Sequence, residues 1–184
     1  MSRPLLPAWL RDVERVDVAV YDAILRTPTP SVDRHMSRLT QAANYSRLWV
    51  GSAAILAATR GAPGKRAAAH GIAAVLVTSA VANLVMKPLG SRRRPDPSEA
   101  PAERRAPMPT STSFPSGHAA SAFAFATAVG AVLPREAIPI RALASAVAYS
   151  RVHTGLHYPA DVISGALLGT MLAQLTTRAI DHWL

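Results

Sequence analysis

The residues with the clearest capacity for chemistry lie in one short stretch late in the chain, residues 150–161. His157 stands four residues before Asp161, about one helical turn, so the carboxylate can lie beside the ring and bond one imidazole nitrogen. The other nitrogen is then directed outward as a base or a nucleophile, and Arg151 is placed to hold an anion. This spacing predicts base or nucleophilic catalysis on an anionic substrate.

Two cations earlier in the chain, Lys87 and Arg94, are expected to join Arg151 in binding that anion. Arginine holds phosphate oxygens in pairs with its planar fork, whereas lysine acts as a point charge. The basic run at 92–94 also fits a second interpretation, a cluster that flanks a membrane helix and binds anionic headgroups. Arg92 and Arg93 are assigned to this second role.

A second histidine, His118, follows Pro-Ser-Gly at the start of an apolar segment. The first amide N–H groups of a helix have no helical partners, so a helix that begins here can bind an anion. Ser116 is expected to cap this helix or to contact phosphate, and Gly117 to let a ligand approach the backbone. His118 fits either a capping and interfacial role or a catalytic one.

Together these residues predict phosphoryl transfer through a covalent phosphohistidine. His157 would attack phosphorus, oriented and made more basic by Asp161. The three cations and the amides at the helix start would stabilise charge on the phosphoryl oxygens. His118 would protonate the leaving alkoxide and then activate the water that hydrolyses the intermediate.

The same cations argue against a metal or another cofactor at this site. The alternative is a metal centre built from His118, His153, His157 and Asp161, but the cation cluster would repel a metal ion. The chain contains no cysteine, which excludes disulfides and thiol chemistry.

The composition favours helices packed in lipid over a water-soluble domain. Hydrophobic residues make up 49% of the 184 residues and charged residues 17%, where about a quarter is usual in soluble domains. The formal net charge of +9 fits nucleic acid, an anionic membrane surface or phosphate substrates. Because no RNA-binding signature or zinc-ligand set accompanies this charge, nucleic acid is not expected as a partner.

The N-terminal segment, 1–30, predicts an amphipathic helix and does not have the layout of a cleaved signal peptide. An apolar stripe at helical spacing is formed by Trp9, Val13, Val16, Val20 and Ile24. The charged residues expected on other faces are Arg11, Asp17 and Asp22. This helix fits a position in the membrane interface and, equally, packing on a helix bundle.

Residues 31–184 predict a membrane-embedded domain with a long, proline-rich polar loop at 88–115. Apolar helices are expected from about Ser31 to Ala58, Ala67 to Met86, Gly117 to Leu133, Ile138 to Val152 and Ala160 to Thr177. Gly165 and Gly169 form a GxxxG arrangement suited to close helix packing, and such small-residue faces also allow an oligomer. The predicted fold class is all-α, a polytopic transmembrane bundle of five to six helices with an N-terminal amphipathic helix.

The apolar helices would bring the reactive residues to one side of the membrane. Lys87 ends one helix and His118 begins the next, while Arg151 and His157 hold the same places in the following pair. Because successive crossings alternate in direction, all four positions are expected at a single membrane face.

These residues form three motifs that resemble the signature of the type 2 phosphatidic acid phosphatase superfamily. The first is a lysine, six residues and Arg-Pro, which is present here from Lys87 to Arg94. The second is Pro-Ser-Gly-His, which ends at His118, and the third is Ser-Arg, five residues, His, three residues and Asp, at 150–161. All three match without departure. The resemblance implies a helical membrane phosphatase that needs no divalent metal, with the two histidine roles given above.

The function expected from this resemblance is hydrolysis of a lipid phosphate. Phosphatidic acid, phosphatidylglycerophosphate, a polyprenyl phosphate or diphosphate and a polyprenyl-phosphoryl sugar phosphate all remain open as substrates. A non-catalytic lipid- or anion-binding protein is an alternative, as is a phosphotransferase that uses another acceptor in place of water. His153 falls between the signature positions and is expected to pack or to contact substrate.

The protein is expected in the plasma or inner membrane with its site on the extracytoplasmic side. Cytoplasmic loops carry an excess of lysine and arginine. The face opposite the site carries Arg60, Lys65, Arg66, Arg135, Arg141 and Arg178. On the site face, Lys87, Arg94 and Arg151 are already explained by phosphate binding.

Overall fold

The computed structural model describes residues 7–183, which fold as helices joined by turns and one long loop. This part of the chain contains no β-strand, which confirms the predicted all-α class. The helices are α1 (Ala8–Arg26), α2 (Pro30–Ala42), α3 (Arg47–Thr59), α4 (Gly61–Ala80), α5 (Lys87–Leu89), α6 (Gly117–Val132), α7 (Ala137–His153) and α8 (Pro159–Trp183).

The longest continuous helical segment contains both α4 and α5. Between them lies a π-helical stretch, Val81–Met86, and the chain runs without a break over the 29 residues Gly61–Leu89. Within residues 7–183 this is the one helix long and apolar enough to cross a bilayer, while α6 is apolar but shorter. The apolar helix predicted at 67–86 is therefore present and extends beyond both predicted ends.

Helix α6 lies at the centre of the bundle, where it packs against α4, α7 and α8. Its side chains are mostly small and apolar on every face, and Ala119, Phe125 and Val129 are completely buried. A helix that is apolar all round is stable in a bundle when neighbouring helices cover all its faces. This central position fixes where His118, in the first turn of α6, can lie.

The GxxxG pair of α8 packs against α6 within the same chain. A methyl group added to Gly165 would overlap the carbonyl oxygen of Ser116, and one added to Gly169 would overlap that of Ala120. The two helices therefore approach to a separation that glycine alone permits. Because α6 covers this face, it is not available for contact with a second copy of the chain.

The helix expected from about Ser31 to Ala58 is instead two helices, α2 and α3. They are separated by a short 3₁₀ turn, Asn44–Ser46, in which Tyr45 and Ser46 both adopt left-handed backbone angles with φ of 57°. Non-glycine residues take up this conformation at a cost, and it ends an α-helix. The apolar periodicity continues across the break and so does not reveal it.

Helix α1 confirms a helix in the N-terminal segment, whose residues 1–6 lie outside the described part of the chain. Its apolar stripe is exposed, with 65% of Trp9 and 63% of Val16 accessible. The face that packs on α7 and α8 carries Asp17 and Tyr21, both buried. Asp17 is therefore off the exposed stripe, as expected, and the face that it occupies is the one that packs on the bundle, where its carboxylate finds partners inside the molecule.

The loop at 88–115 is irregular, as predicted, except for α5 and two 3₁₀ turns at Pro97–Glu99 and Ala102–Arg104. Its main anchor is Arg104, whose buried guanidinium donates to the carbonyl oxygens of Ile24 at 3.0 Å and Thr27 at 2.7 Å. The same guanidinium lies 2.9 Å from Asp33 of α2. The loop is therefore held against the turn between α1 and α2.

The other end of the bundle is joined by exposed ion pairs. Arg60 Nε lies 3.0 Å from Glu136 Oε1, and Arg66 Nη2 lies 2.7 Å from Asp181 Oδ1. These pairs connect the α3–α4 turn to the α6–α7 connection, and α4 to the end of α8. Basic residues thus occur at both ends, and at this end Arg60 and Arg66 are paired with carboxylates.

Candidate active site

His157 lies in the short connection between α7 and α8, which turns at Gly155 with a left-handed φ of 73°. The amide of His157 donates to the carbonyl oxygen of Arg151, so the connection folds back on the end of α7. Pro159 then begins α8, and Asp161 lies in its first turn. His157 Nδ1 is 3.5 Å from Asp161 Oδ2, and both side chains are almost completely buried.

The second ring nitrogen, His157 Nε2, lies 3.0 Å from Nη1 of Arg94. A guanidinium is always a donor, so this nitrogen must accept and must carry the lone pair. The ring proton of the neutral imidazole is therefore on Nδ1, where it faces the Asp161 carboxylate. This is the tautomer that a nucleophile acting through Nε2 requires.

Arg94 is itself fixed by acceptors from two parts of the chain. It donates to the carbonyl oxygens of Ser111 at 2.9 Å, Thr112 at 3.2 Å and Leu156 at 2.8 Å. A further bond at 3.2 Å reaches the Ser111 hydroxyl. The guanidinium is thus held in one orientation, next to the histidine ring.

The Asp161 carboxylate accepts hydrogen bonds on both of its oxygens. Oδ1 accepts from Arg92 Nη1 at 2.9 Å, and Oδ2 accepts from the amide of Tyr158 at 3.0 Å and from the hydroxyl of Ser113. A buried carboxylate is stabilised as an anion by donors of this kind. Asp161 therefore faces His157 as a fixed negative charge.

Arg92 belongs to this site, and its assignment to a membrane-flanking cluster is wrong. Its Nη2 lies 2.5 Å from Asp17 Oδ2, and its guanidinium lies 4.3 Å above the ring of Tyr158. Arg93, between the two site arginines, is exposed. Exposure thus alternates along residues 92–94, as side chains do along an extended backbone, and this places Arg92 and Arg94 on the same inner side.

His118 lies in the first turn of α6, 3.0 Å from the side-chain oxygen of Asn44 through its Nε2. Because an amide oxygen accepts, Nε2 carries the proton in this arrangement and Nδ1 is left for another partner. Asn44 is presented by the 3₁₀ turn that separates α2 from α3. The unpredicted break in that helix therefore supplies a contact to a predicted catalytic residue.

Lys87 and His118 line the same polar cavity of about 150 Å³. The Lys87 ammonium donates to Asn83 at 2.8 Å, one turn earlier in the same helical segment. A larger cavity of about 540 Å³ lies at the opposite end of the bundle, near Arg60 and Glu136, and none of the predicted site residues lines it.

The start of α6 has the predicted N-cap. The hydroxyl of Ser116 accepts from the amide of Ala119 at 3.5 Å. The amide of Ser116 donates to the carbonyl oxygen of Asp161 at 2.9 Å, which joins the starts of α6 and α8. Gly117 lies beside Lys87, since a methyl group added to it would come within 3.8 Å of the ammonium nitrogen.

Arg151, near the end of α7, is 2% exposed. Its Nη1 donates to the hydroxyl of Thr40 at 2.8 Å and to the Thr40 carbonyl oxygen at 3.2 Å. Its Nε has no hydrogen-bond partner among the described residues. A buried donor of this kind is costly unless a ligand satisfies it, which fits the predicted contact to phosphate.

His153 points away from the other two histidines and packs in a different cluster. Its Nε2 lies 2.9 Å from Asp33, the same carboxylate that pairs with Arg104. The alternative metal centre required His153 beside His118 and His157. Within residues 7–183 no group of three or more His, Cys, Asp or Glu side chains is arranged to hold a metal ion.

The pKa of His157 is lowered to about 4, chiefly by burial. The Asp161 carboxylate acts in the opposite direction, and the nearby charges of Arg94 and Arg151 lower the pKa. The ring is therefore neutral at physiological pH, with its Nε2 lone pair present. A neutral imidazole beside two fixed cations is suited to attack on an electrophile that carries negative charge.

The predicted site residues lie in two groups at one end of the bundle. His157, Asp161 and Arg94 form the first group, and His118, Lys87 and Gly117 form the second around the polar cavity. Ser116 joins them through its bond to Asp161, and Arg151 joins them through the turn that carries His157. The arrangement has the parts needed for nucleophilic attack on a phosphate ester: a ring nitrogen with a free lone pair, a second titratable ring and several hydrogen-bond donors that can bind phosphate.

Sequence reasoning missed several residues of the site, among them Asp17, Arg92 and Asn44. Asp17 and Arg92 are separated by 75 positions, and Asn44 and His118 by 74, so no local spacing signals either contact. Alternate side chains of an extended segment lie on the same side, so assignment of Arg94 to the site was a usable signal for Arg92. No comparable signal points to Asp17, which lies off the apolar stripe of α1.

Comparison with known proteins gives consistent matches. A sequence model of the PAP2 superfamily matches residues 68–183, more than half of the chain. The chain is 35% identical over 109 residues to lipid A 1-phosphatase of Rhizobium johnstonii, covering 55% of this chain and 43% of that protein. It is 38% identical over 73 residues to undecaprenyl-diphosphatase of Sulfolobus acidocaldarius, covering 39% and 35%. These matches span less than half the length of either relative.

The fold is similar to two solved structures. One is a transmembrane PAP2-type phosphatidylglycerolphosphate phosphatase from Bacillus subtilis, with TM-score 0.69 and 26% identity over 94% of this chain and 88% of that chain. The other is Aquifex aeolicus LpxE, with TM-score 0.72 and 22% identity over 89% and 95%. Both likenesses cover most of this chain. The region matched by the family model contains all three motifs of the site, and the chain belongs to the PAP2 superfamily.

Proposed function

We propose that this chain is an integral membrane phosphatase that hydrolyses the phosphate ester of a lipid through a phosphohistidine on His157. The observation that carries the proposal is the bond from Arg94 to His157 Nε2. It leaves the lone pair of the ring on Nε2 and the ring proton on Nδ1, facing Asp161. The same guanidinium lies where it can bind an oxygen of the phosphoryl group that Nε2 attacks.

The reaction takes place in two steps. His157 Nε2 forms a bond to phosphorus while the bond from phosphorus to the lipid oxygen breaks, and His118, protonated on both ring nitrogens, gives the proton on Nδ1 to that oxygen. Water then loses a proton to His118 and attacks phosphorus, the P–N bond breaks, and inorganic phosphate leaves. Lys87, Arg94 and Arg151 offset the charge on the phosphoryl oxygens in both steps.

A membrane location is supported by the outer surface of the bundle. Four apolar residues on α8 form an exposed stripe at four-residue spacing: Ile163, Leu167, Met171 and Leu175, each about 60% accessible. This stripe is about 18 Å long at 1.5 Å per residue. A continuous apolar face of this size is suited to lipid contact. We infer that α6, α7 and α8 lie in the bilayer beside the segment Gly61–Leu89, which accounts for four of the five to six crossings expected from the sequence.

The substrate class follows from where the phosphate site lies. Hydrogen-bond donors that can bind phosphate, when they lie at one end of a membrane bundle, favour a lipid whose phosphate lies at the bilayer surface. The matched relatives and structures act, by name, on lipid A, undecaprenyl diphosphate and phosphatidylglycerolphosphate. We propose substrates of this class, which includes phosphatidic acid, polyprenyl diphosphates and polyprenyl-phosphoryl sugar phosphates.

The proposed function is tested by phosphate release from detergent-purified protein in EDTA. The lipid panel contains phosphatidic acid, phosphatidylglycerophosphate, lipid A 1-phosphate and undecaprenyl diphosphate. We expect release by the wild type and none by His157→Ala, with no loss in His35→Ala, which removes an exposed histidine. Activity that survives in His157→Ala would exclude this residue as the nucleophile.

The same assay separates the alternative functions. Binding of a panel lipid without release of phosphate would assign the chain to non-catalytic lipid binding. Transfer of phosphate to an added alcohol in preference to water would make it a phosphotransferase.

We further propose that the site faces the extracytoplasmic side. The chain contains no cysteine, so single cysteines at Glu103 in the loop and Arg135 at the other end of the bundle can report each face. We expect a membrane-impermeant thiol reagent to label Glu103→Cys in intact cells and Arg135→Cys only after lysis. The reverse pattern would place the site in the cytoplasm.

A further inference from the structure

We propose that Arg92, held by Asp17 of α1, is the positioning residue that fixes Asp161 against His157. The inference rests on the proposed role of His157 as nucleophile and adds two residues whose identity none of the three motifs specifies. A continuous chain of contacts, Asp17–Arg92–Asp161–His157, connects the N-terminal helix to the reacting ring. Neither Arg92 nor Asp17 contacts the ring directly.

The contacts of Asp161 show why a second cation matters. Oδ2 faces His157 Nδ1 and also accepts from Ser113 and the Tyr158 amide, while Oδ1 has one partner, Arg92. A carboxylate can turn about its last side-chain bond, which exchanges its two oxygens. With Arg92 bound to Oδ1, the orientation that presents Oδ2 to the ring is held from both sides.

Contacts on three sides hold the guanidinium of Arg92. One amino group of the guanidinium binds Asp161 at 2.9 Å, the other binds Asp17 at 2.5 Å, and the plane lies 4.3 Å from the centre of the Tyr158 ring. The rigid fork of arginine suits two carboxylates at once, and its flat face suits an aromatic ring. A lysine could make one of these contacts but not all three.

Asp17 explains why this cation is stable and correctly placed. Its side chain is 6% exposed, and its second oxygen accepts from the amide of Ala160 at 2.7 Å, in the first turn of α8. The buried carboxylate therefore holds both Arg92 and the start of the helix that carries Asp161. Buried charges of this kind are destabilising unless they are paired, so each member depends on the others.

The position of Asp17 also gives α1 a role in the reaction. Helix α1 lies before the region matched by the family model, which begins at residue 68. Its face toward the bundle contributes the carboxylate that anchors Arg92. The inference therefore links the N-terminal helix to turnover at His157 and not to substrate binding.

The test compares kcat and KM of Arg92→Met, Arg92→Lys and Asp17→Asn with the wild type on a lipid from the panel. We expect kcat to fall about 10–100-fold in Arg92→Met with KM changed by less than about twofold, because positioning affects turnover. Arg92→Lys should recover part of that loss. Asp17→Asn retains one oxygen for the Ala160 amide but turns an NH₂ donor toward Arg92, so kcat should fall here too.

A double mutant distinguishes positioning from a general structural effect. If Asp17 acts through Arg92, then Asp17→Asn added to Arg92→Met costs no further kcat, whereas independent effects would multiply. The matched control is Arg93→Met, which removes an exposed arginine next in sequence and should leave both constants unchanged. Thermal unfolding of each variant in detergent shows whether the fold is retained.

Three results would overturn the inference. These are a rise in KM without a fall in kcat, an effect of Arg92→Met no larger than that of Arg93→Met, and multiplicative effects in the double mutant. Failure of the proposed function is seen separately, because in that case the wild type releases no phosphate or His157→Ala remains active.

Discussion

Arg94 donates a hydrogen bond, across 3.0 Å, to the ring nitrogen of His157 that is turned away from Asp161. The two partners of the imidazole therefore lie on opposite sides, a cation at Nε2 and an anion near Nδ1. A phosphoryl group that approaches Nε2 meets the guanidinium at the same point. Arg94 can then move its N–H from the nitrogen to a phosphoryl oxygen, so binding of the charge and exposure of the nucleophile occur together.

This contact predicts that arginine cannot be replaced by lysine at position 94. Lysine keeps the charge but cannot donate to Ser111, Leu156 and His157 at once. We expect Arg94→Lys to lower kcat by about 100-fold, the cost of one preorganised donor at a developing charge. Steady-state kinetics of Arg94→Lys measure this loss, with Arg93→Lys as the control. A variant with normal kcat and a raised KM would show that Arg94 binds the substrate but does not assist the chemistry.

The lowered pKa of His157 predicts the acid side of the pH profile. The ring must be neutral to attack, and kcat/KM reports the ionisation of the free enzyme. With a pKa of about 4, His157 takes up a proton only as the pH falls below about 5, so it causes no loss of kcat/KM between about pH 8 and 5. The measurement is the pH profile of kcat/KM, corrected for ionisation of the substrate phosphate, whose pKa is determined separately. An enzyme pKa near 6.5 on the acid side would contradict this expectation.

The close contact of α6 and α8 predicts a difference between two glycines. Gly165→Ala places a methyl group on the Ser116 carbonyl oxygen and must separate the helices, so we expect a loss of about 1–3 kcal/mol in stability together with reduced activity. Gly51→Ala meets no atom within 4 Å in α3, and should stabilise by up to about 1 kcal/mol. The melting temperatures of the two variants, measured in the same detergent, show the difference. Equal melting temperatures would show that the helices are not tightly packed at Gly165.

The buried Arg104 predicts that the loop depends on the N-terminal helices. Arg104→Met fills a similar volume but leaves Asp33 without its cation, and breaking such a buried pair costs about 3–5 kcal/mol. Arg105→Met, at the exposed neighbour, should cost less than about 1 kcal/mol. Limited proteolysis of the loop and thermal unfolding both report the difference. Similar stability in the two variants would contradict the assignment of Arg104 as the anchor.

The sequence predicted what depends on local spacing. Three predicted features each lie within one short segment, and the structure contains all of them. They are the four-residue interval from His157 to Asp161, the Pro-Ser-Gly start of α6 and the apolar helix before Lys87. Spacing along one helix determines which side chains are neighbours, so these features could be read directly.

Contacts between distant segments could not be predicted in the same way. Asp17 has the pattern of an outward polar residue on α1, and it is buried because Arg92 reaches it from a loop 75 positions later. Asn44 meets His118 because Tyr45 and Ser46 adopt left-handed angles, a choice of backbone that hydrophobic periodicity does not encode.

The π-helical stretch Val81–Met86 also determines the direction of the first cation of the site. A π-helical turn contains one more residue than an α-helical turn, and each residue of an α-helix advances the rotation by about 100°. If the same six residues were wound as ordinary α-helix, Lys87 would turn through about that angle, away from the cavity it shares with His118. Such a change of winding would leave every letter of the signature intact, and the lysine would point elsewhere.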